Sequence, residues 1–360
     1  MEAGIIGLPN VGKSTIFNAL TKSNANVSNF PFTTIEPNIG ITTVEDERLI
    51  ELGKIFRPEK LTSATVKFVD IAGLVRGASK GEGLGNKFLS HIREVDVLVQ
   101  VVRVFNDDSI VSTLGELNPI NEIEIIDLEL ILSDLEQILK ARERIINKAK
   151  SGDKDSQEKL VILDEIRDHL NKNRPIRENE LLLSKISESD IKNYELHTAK
   201  SVLYLFNIND SVSTDVIDTL VKFVSEKKKC DSILLNAKLE LELSELNNEE
   251  KEKFRKEYNL KSGINDLVKK VYEMLNLITF YTVVGNEVRA WSIPKGTTAK
   301  TAAGKIHTDM EKGFIRAEVY NYNDLIKYRS EKILFERGII RTEGKDYIVS
   351  DGDIIKFKFH

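Results

Sequence analysis

The chain has 360 residues, of which 41% are hydrophobic and 30% charged, a balance typical of a globular protein with two or three domains. Its formal net charge is −5, so no overall basic field attracts nucleic acid, and we expect no DNA partner. The single cysteine, Cys230, excludes an intramolecular disulfide and a cysteine-based zinc site. No apolar run is long enough to span a bilayer and no cationic leader precedes the first strand, so we expect a cytoplasmic protein without a membrane partner.

The first motif is a phosphate-binding loop. Residues 7–14, Gly-Leu-Pro-Asn-Val-Gly-Lys-Ser, fit G-x-x-x-x-G-K-[ST] between a predicted strand and a predicted helix, the setting that this motif requires. Glycines let the backbone approach phosphate oxygens, which N–H groups at the start of the helix attract. Lys13 would bridge the β- and γ-phosphates, and the Ser14 hydroxyl would ligate Mg²⁺. The predicted nucleotide-binding residues of this loop are Asn10, Val11, Gly12, Lys13, Ser14 and Thr15.

The segment at residues 29–38 contains two prolines and is predicted to be a loop. In phosphate-loop switch proteins, such a loop supplies a threonine that ligates Mg²⁺ when the γ-phosphate is present. Thr34 is the predicted ligand, and Thr33 is the alternate. An ordinary connecting loop is the alternative interpretation. A strand is predicted next, at residues 39–44.

A buried strand over residues 66–69 leads into Asp70-Ile71-Ala72-Gly73, a D-x-x-G pattern. Asp70 at the carboxyl end of this strand can hold Mg²⁺ through water, and the Gly73 N–H can bond the γ-phosphate. The pattern gains weight from its place after a phosphate loop. Leu74 follows, where Ras-type GTPases carry the glutamine that orients the attacking water. Leucine cannot orient water, so we expect slow intrinsic turnover, and the catalytic group stays unknown. The glycine-rich residues 76–87 are predicted to become ordered with nucleotide.

Between residues 121 and 193 the pattern becomes helical. Apolar residues three and four apart suggest coiled-coil seams on two helices, joined by a turn at Gly152-Asp153. The predicted seam residues are Ile125, Leu128, Leu132, Leu135, Leu139, Arg142 and Ile146 on the first helix, and Leu160, Leu163, Ile166 and Leu170 on the second. We predict a helical hairpin inserted at 121–193 into a nucleotide-binding domain of residues 1–275. Packing of these helices on the core sheet is the alternative. An insert this charged is a candidate arm for binding protein or RNA.

Two later segments are candidates for binding the base. A strand at 201–206 ends at Asn207-Ile208-Asn209-Asp210, where GTPases place N-K-x-D, whose aspartate recognises guanine. Ile208 replaces the lysine, which compromises guanine recognition without excluding it. A strand at 232–235 leads to the position of the short S-A-K loop that contacts the base. The predicted nucleotide-binding residues here are Asn207, Asp210, Asn236, Ala237 and Lys238, together with Gly73.

Residues 276–360 are predicted to form a second domain, a small β-grasp fold. Alternation at 278–282 and 287–293 around Gly285-Asn286 predicts a hairpin. A capped helix is predicted at 297–307, and closing strands at 347–349 and 354–359. His307 lies near Asp309, and we expect it to have a structural role. The domain then carries no catalytic constellation, so we expect a binding module.

Together these motifs resemble the YchF family, the Obg-like ATPases within the translation-factor class of GTPases. The likeness covers nearly the whole chain and rests on residues 7–15, 29–32, 70–75 and 77–86, while residues 302–307 and 312–318 look like the family's TGS domain. It implies an α/β fold: a P-loop NTPase domain with a mostly parallel, doubly wound sheet, an inserted helical coiled-coil hairpin and a C-terminal β-grasp (TGS) domain. It also implies Mg²⁺-dependent hydrolysis of ATP in preference to GTP, and association with the ribosome through the helical insert and the TGS domain.

Two positions depart from the family pattern. Family members usually have N-x-x-E where this chain ends in Asp210, the residue with which GTPases recognise guanine. Many members carry a histidine suspected in catalysis after the acidic pair Asp107-Asp108, and here that position corresponds to Ser112. Asn10 could help hold a monovalent cation such as K⁺ beside the phosphates. Two alternatives to the ATPase therefore stay open: a GTPase of the same architecture, and a nucleotide-gated ribosome- or RNA-binding protein with incidental hydrolysis.

Overall fold

The computed structural model describes residues 1–22, 39–71, 84–107, 117–258 and 263–360. Its strands are β1 (Glu2–Ile6), β2 (Ile39–Thr43), β3 (Lys60–Thr62), β4 (Thr65–Asp70), β5 (Val97–Arg103), β6 (Val202–Asn207), β7 (Asp231–Leu235), β8 (Leu277–Val284), β9 (Glu287–Pro294), β10 (Phe314–Asn321), β11 (Arg341–Glu343) and β12 (Asp353–Phe359).

The helices in the same ranges are α1 (Lys13–Lys22), α2 (Glu47–Phe56), α3 (Leu84–Glu94), α4 (Pro119–Lys150), α5 (Lys154–Leu170), α6 (Glu180–Ser184), α7 (Glu188–Asn193), α8 (Thr214–Phe223), α9 (Ala237–Leu243), α10 (Asn248–Glu257), α11 (Ile264–Met274), α12 (Ala299–Ile306), α13 (Thr308–Lys312), α14 (Tyr322–Tyr328) and α15 (Glu331–Glu336). Short 3₁₀ segments at Ile176–Glu178 and His197–Ala199 and a π-helical turn at Val224–Lys228 connect some of them. No helix in these ranges has the length and apolar character needed to cross a membrane.

The chain divides into two compact units that differ from the predicted domains. One consists of residues 1–40 and 67–264, and the other of residues 41–66 and 265–360. The predicted nucleotide-binding domain of residues 1–275 included residues 41–66, which the structure groups with the C-terminal unit. The reason is strand pairing: β3 lies parallel to β9, with Lys60 opposite Glu287 and Thr62 opposite Arg289.

The first sheet has six strands in the order β2-β4-β1-β5-β6-β7. β1 pairs in parallel with β4 and β5, and β5–β6 and β6–β7 are also parallel. Every residue of β5 and β6 is buried, as expected for central strands of a parallel sheet covered on both faces. The predicted mostly parallel sheet is confirmed.

Strand order places the ends of three strands next to the phosphate loop. β4 and β5 flank β1 on opposite sides, so the chain leaving β1 enters a topological switch point, where open α/β sheets bind ligands. The register pairs Ile5 with Asp70 and Ile6 with Gln100. Asp70 therefore ends its strand beside the start of the loop.

Helices α4 and α5 form the predicted hairpin, between β5 and β6 in the chain, and we call residues 119–170 the helical arm. Asn118 caps α4 by accepting a hydrogen bond from the Asn121 N–H at 3.0 Å, and Asp153 caps α5 through the Ser156 N–H at 3.0 Å. Gly152 makes the turn between them with φ +95° and open space where a Cβ would lie. Both helix starts are thus set by local capping.

The predicted seam of α4 is wrong at three leucines, although Leu135 packs against the buried cluster and Arg142 pairs with Asp164 of α5. Leu128, Leu132 and Leu139 are 41%, 40% and 47% exposed. The residues that pack against Leu163, Ile166 and Leu170 of α5 are instead Ile131, Ile138 and Ala141. Both sets are spaced three, four or seven residues apart on an apolar-rich helix, so spacing alone could not choose the buried face. The residues of α5 that pack against α4 determine which face is buried.

The C-terminal sheet has the order β11-β10-β12-β8-β9-β3. β8 and β9 form the predicted hairpin around Gly285, whose φ of +57° suits the turn. β12 lies between β8 and β10, parallel to β8 and antiparallel to β10. The first and last long strands of residues 276–360 are therefore central neighbours, and α12 packs on them, which is the β-grasp arrangement.

The predicted strand at 347–349 is wrong. Ile348 forms only an isolated bridge with Thr298. The residues that follow form a turn, in which the Ser350 N–H donates a hydrogen bond to the Asp353 carboxylate. The place beside β12 is taken by β10, which sequence patterning did not identify as a strand. His307 has the expected structural role, since its Nδ1 accepts a hydrogen bond from the Asp309 N–H at the start of α13.

Asp134 joins the helical arm to the segment that enters β6. Its fully buried carboxylate accepts hydrogen bonds from the N–H groups of His197 and Thr198, both at 2.8 Å, and from the Thr198 hydroxyl at 2.6 Å. Three donors converge on one side chain, so removing it would leave buried polar groups unsatisfied.

We expect Asp134→Ala to lower the free energy of unfolding by about 3–5 kcal/mol, because each abandoned buried donor carries a desolvation cost. Urea denaturation of the full chain measures this loss. Asp134→Asn keeps one acceptor oxygen and should lose clearly less. An alanine variant as stable as the asparagine variant would contradict the assigned role.

Candidate nucleotide-binding site

The loop between β1 and α1 borders a cavity of about 840 Å³. Its backbone turns through positive φ at Asn10 (+64°) and Gly12 (+101°). A Cβ on Gly12 would lie 2.4 Å from Asn207 Nδ2. Position 12 therefore requires glycine for two independent reasons, its backbone angle and the space available.

Lys13 is held beneath this loop and is 8% exposed. Its Nζ donates a hydrogen bond to the Leu8 carbonyl at 2.7 Å. Burial lowers the pKa of Lys13, while attraction to Asp70 and Glu122 opposes that shift. One carbonyl oxygen is a partner that phosphate oxygens can replace, since charge-assisted hydrogen bonds are stronger than neutral ones.

Ser14 and Asp70 meet at the start of α1. The Ser14 hydroxyl donates to Asp70 Oδ2 at 3.3 Å, and Asp70 Oδ1 is buried without a hydrogen-bond partner in the part of the chain that the structure describes. Burial raises the pKa of Asp70, opposed by Lys13 and by the Ser14 hydrogen bond. An orphaned carboxylate oxygen beside a hydroxyl is a hard donor set of the kind Mg²⁺ prefers. These residues fit the metal.

Asn207 connects two loops of the site. Its Nδ2 donates to the Val11 carbonyl at 2.9 Å, and its Oδ1 accepts from the Ala237 N–H at 3.1 Å. Asn207 is 5% exposed and Val11 is 2% exposed. Both residues therefore shape the site from within, and the amide of Asn207 is occupied by the protein's own backbone.

Most of the predicted nucleotide-binding residues come together around this cavity. Those that line it are Asn10, Gly12, Lys13, Ser14, Thr15, Asn207, Asn236, Ala237 and Lys238. Asp210 is exposed and is not among the residues that line the cavity within the described ranges. The predicted residues Thr34, Gly73, Leu74 and Ser112 lie outside the described residues.

Three lining residues were not predicted as binding residues: Phe105, Asp107 and Asn209. Phe105 and Asp107 follow β5, and Asn209 follows β6. Because both strands run parallel to β1, their carboxyl ends open onto the same edge of the sheet as the phosphate loop. Position after a parallel strand was the signal that could have identified all three.

The parallel sheet, its switch point and this loop define a protein of the phosphate-loop NTPase class. Comparison with known families agrees. A family model described as a 50S ribosome-binding GTPase matches residues 2–148. A second model, YchF-GTPase_C, described as a protein of unknown function, matches residues 277–360.

Relatives that match the full length of the chain identify a family within the phosphate-loop NTPase class. The chain is 46% identical over 361 residues to the ribosome-binding ATPase YchF of Buchnera aphidicola subsp. Schizaphis graminum, and 44% identical over 361 residues to that of Escherichia coli O157:H7. It is 43% identical over 365 residues to that of Bacillus subtilis. Each comparison covers 100% of this chain and 99% of the relative. This chain belongs to the YchF family.

A solved structure supports the same assignment. The YchF GTPase of Schizosaccharomyces pombe is 35% identical and superposes with a TM-score of 0.87, covering 99% of this chain and 97% of that one. The expected family fold, a phosphate-loop domain with a helical region and a C-terminal domain, is confirmed.

We expect Gly12→Ala to weaken nucleotide binding by about tenfold or more, because a Cβ would displace the Asn207 amide and strain the backbone. Titration with a fluorescent ATP analogue and Mg²⁺ measures the change. Gly152→Ala is the matched control, since Gly152 has a similar φ of +95° with nothing within 4 Å of the added Cβ. Equal binding by the two variants would contradict the steric argument.

Proposed function

We propose that this chain is an Mg²⁺-dependent ATP-binding and ATP-hydrolysing switch that associates with the ribosome. The observation that carries the proposal is the pairing of Ser14 with Asp70 beside the phosphate loop, where a lysine is held within reach. Full-length relatives that are 43–46% identical bear the name ribosome-binding ATPase. A switch follows from the predicted loops at Thr34 and at 76–87, which would become ordered around the γ-phosphate, except that residues 84–87 already begin α3.

The proposed roles follow from the placement of the donors. Ser14 and Asp70 would hold Mg²⁺, with Thr34 completing the set, and the ion would neutralise charge on the phosphates. Backbone N–H groups of the loop, and that of Gly73, would bind phosphate oxygens. Lys13 would exchange the Leu8 carbonyl for a phosphate. Asn10, which lines the cavity, would help hold K⁺.

The proposed preference for ATP rests on Asp210. A guanine reader must present its carboxylate to N1–H and N2–H₂ of the base, yet Asp210 is exposed and outside the cavity lining. Phe105, Asn209, Asn236 and Lys238 are the lining residues left to contact a purine. Slow turnover is proposed because Leu74 and Ser112 supply neither a water-orienting amide nor an imidazole.

Calorimetric titration with ATP and GTP in the presence of Mg²⁺, with hydrolysis followed on the same samples, tests this proposal. We expect ATP to bind more tightly by about tenfold, or ~1.4 kcal/mol, with slow turnover. Asp210→Ala should leave the ATP affinity within about twofold, a change near 0.4 kcal/mol. Tighter binding of GTP, lost in Asp210→Ala, would establish the GTPase alternative.

The helical arm is the proposed ribosome contact, together with the C-terminal β-grasp domain. Near the turn of the arm, four exposed cations form no ion pair within 4 Å with a residue in the described ranges: Arg144, Lys148, Lys150 and Lys154. In contrast, Lys140 pairs with Glu136 and Lys159 with Asp155. Unpaired cations on a chain of net charge −5 suit phosphate groups of RNA.

We expect the double variant Lys150→Gln/Lys154→Gln to bind purified ribosomes several-fold more weakly than the wild type in co-sedimentation. The slope of log K against log salt should fall by about 0.7–0.9 per lost phosphate contact. Lys140→Gln/Lys159→Gln removes the same charge from the same two helices and should bind nearly as the wild type does. Equal losses in both would show that net charge, not the tip of the arm, governs binding.

A further inference from the structure

Glu122 in the first turns of α4 is a buried carboxyl group close to the phosphate loop. It is 5% exposed, and its Oε2 has no hydrogen-bond partner among the residues described. Its own N–H is fixed by the Asn118 carbonyl at 3.0 Å, so the backbone at this point is held by the helix cap. Glutamate is rarely buried this deeply unless it is paired, so its surroundings require an explanation.

The charged groups that act on Glu122 come from two other elements. At the end of β5, Arg103 attracts the carboxylate and donates a backbone N–H to it. From the phosphate loop, Lys13 attracts it as well, and Asp70 on β4 competes for the same lysine. Burial raises the pKa of Glu122 to about 7, against the pull of both cations. Arg103 is the stronger of the two attractions, and the position of Lys13 sets the remainder.

The next buried acidic residue of this helix is held differently. Asp127 is buried as well, and it pairs with Arg177 and with Lys228, whose Nζ lies 2.8 Å from Asp127 Oδ2. Both cations lie outside the phosphate loop, Arg177 in the 3₁₀ segment Ile176–Glu178 and Lys228 in the turn Val224–Lys228. Asp127 is thus an anchor of α4, whereas one of the two cations that act on Glu122, Lys13, belongs to the loop.

We propose that Glu122 is a positioning residue that links occupation of the phosphate loop to the root of the helical arm. The inference rests on the proposed nucleotide binding. When phosphates arrive, Lys13 leaves the Leu8 carbonyl and pairs with them, and a polyanion now lies near Glu122. The carboxylate then takes a proton from solvent and becomes neutral. Its attraction for the loop is lost.

The consequence reaches the arm through a continuous helix. α4 runs for 32 residues without interruption, a length of about 48 Å, so a change in its first turns acts on the same rigid element that carries the cations of the tip. Glu122 is not among the described residues that line the cavity. It acts through Lys13.

Glu122→Gln removes the charge and keeps the shape, so it tests the proposal on the full chain. A non-hydrolysable ATP analogue with Mg²⁺ is titrated calorimetrically at pH 7.5 in two buffers of different ionisation enthalpy. We expect the wild type to take up a fraction of a proton on binding and Glu122→Gln to take up less. The variant should bind about threefold to tenfold more tightly, since a competing charge for Lys13 and a repulsion of the phosphates are gone.

The pH dependence of nucleotide affinity and amide hydrogen exchange are two further measurements. Neither would change if Glu122 had a purely structural role. Because neutral Glu122 favours binding, the wild-type affinity should fall as pH rises through about 7, more steeply than that of the variant. Nucleotide should also change amide exchange in the first turns of α4 in the wild type and change it less in the variant. Glu124→Gln, an exposed residue two positions on, is the control and should behave as the wild type.

The outcomes separate this inference from the proposed function. Equal proton uptake and equal affinity in wild type and Glu122→Gln would overturn the inference and leave the ATP-binding proposal intact. Weaker binding with a lower unfolding temperature would also overturn it, by showing that Glu122 only supports the fold. Failure of the wild type to bind the analogue at all would instead overturn the proposed function.

Discussion

Burial of the Lys13 ammonium at the carboxyl edge of a parallel sheet is the constraint on which this site depends. A buried cation is costly unless its charge and its N–H donors are satisfied. Here the Leu8 carbonyl receives the hydrogen bond, and the carboxylates of Asp70 and Glu122 balance the charge. These partners come from the loop, from β4 and from α4, so the cation is satisfied only when the strand order β4-β1-β5 is complete.

A second set of buried polar groups ties the helical arm to the same sheet. Asp127 pairs with two cations near the root of α4, and Asp134, two turns further on, receives three hydrogen bonds from the segment that leads into β6. Buried networks of this kind specify one arrangement, because any other leaves polar groups unsatisfied. The direction in which α4 leaves the nucleotide-binding unit is therefore set by polar contacts and not by apolar packing alone.

Patterns with local physical requirements were predicted well. The phosphate loop and the β8–β9 hairpin each depend on a few consecutive residues whose backbone angles admit few alternatives. Patterns that depend on residues far away in the sequence were predicted poorly. Leu128 and Leu139 had the spacing of a helical seam and are exposed, and β3 joined a sheet whose other strands lie more than 200 positions further along the chain.

The sequence by itself determined the class of fold, the family and the position of the phosphate loop, because the motif carries its own strand, turn and helix. Only the tertiary structure decided which side chains meet there. It placed Phe105, Asp107 and Asn209 on the cavity, left Asp210 outside it, and brought Glu122 under the influence of Lys13. The physical reason is that parallel pairing aligns the carboxyl ends of strands far apart in the chain, and no local pattern records which ends become neighbours.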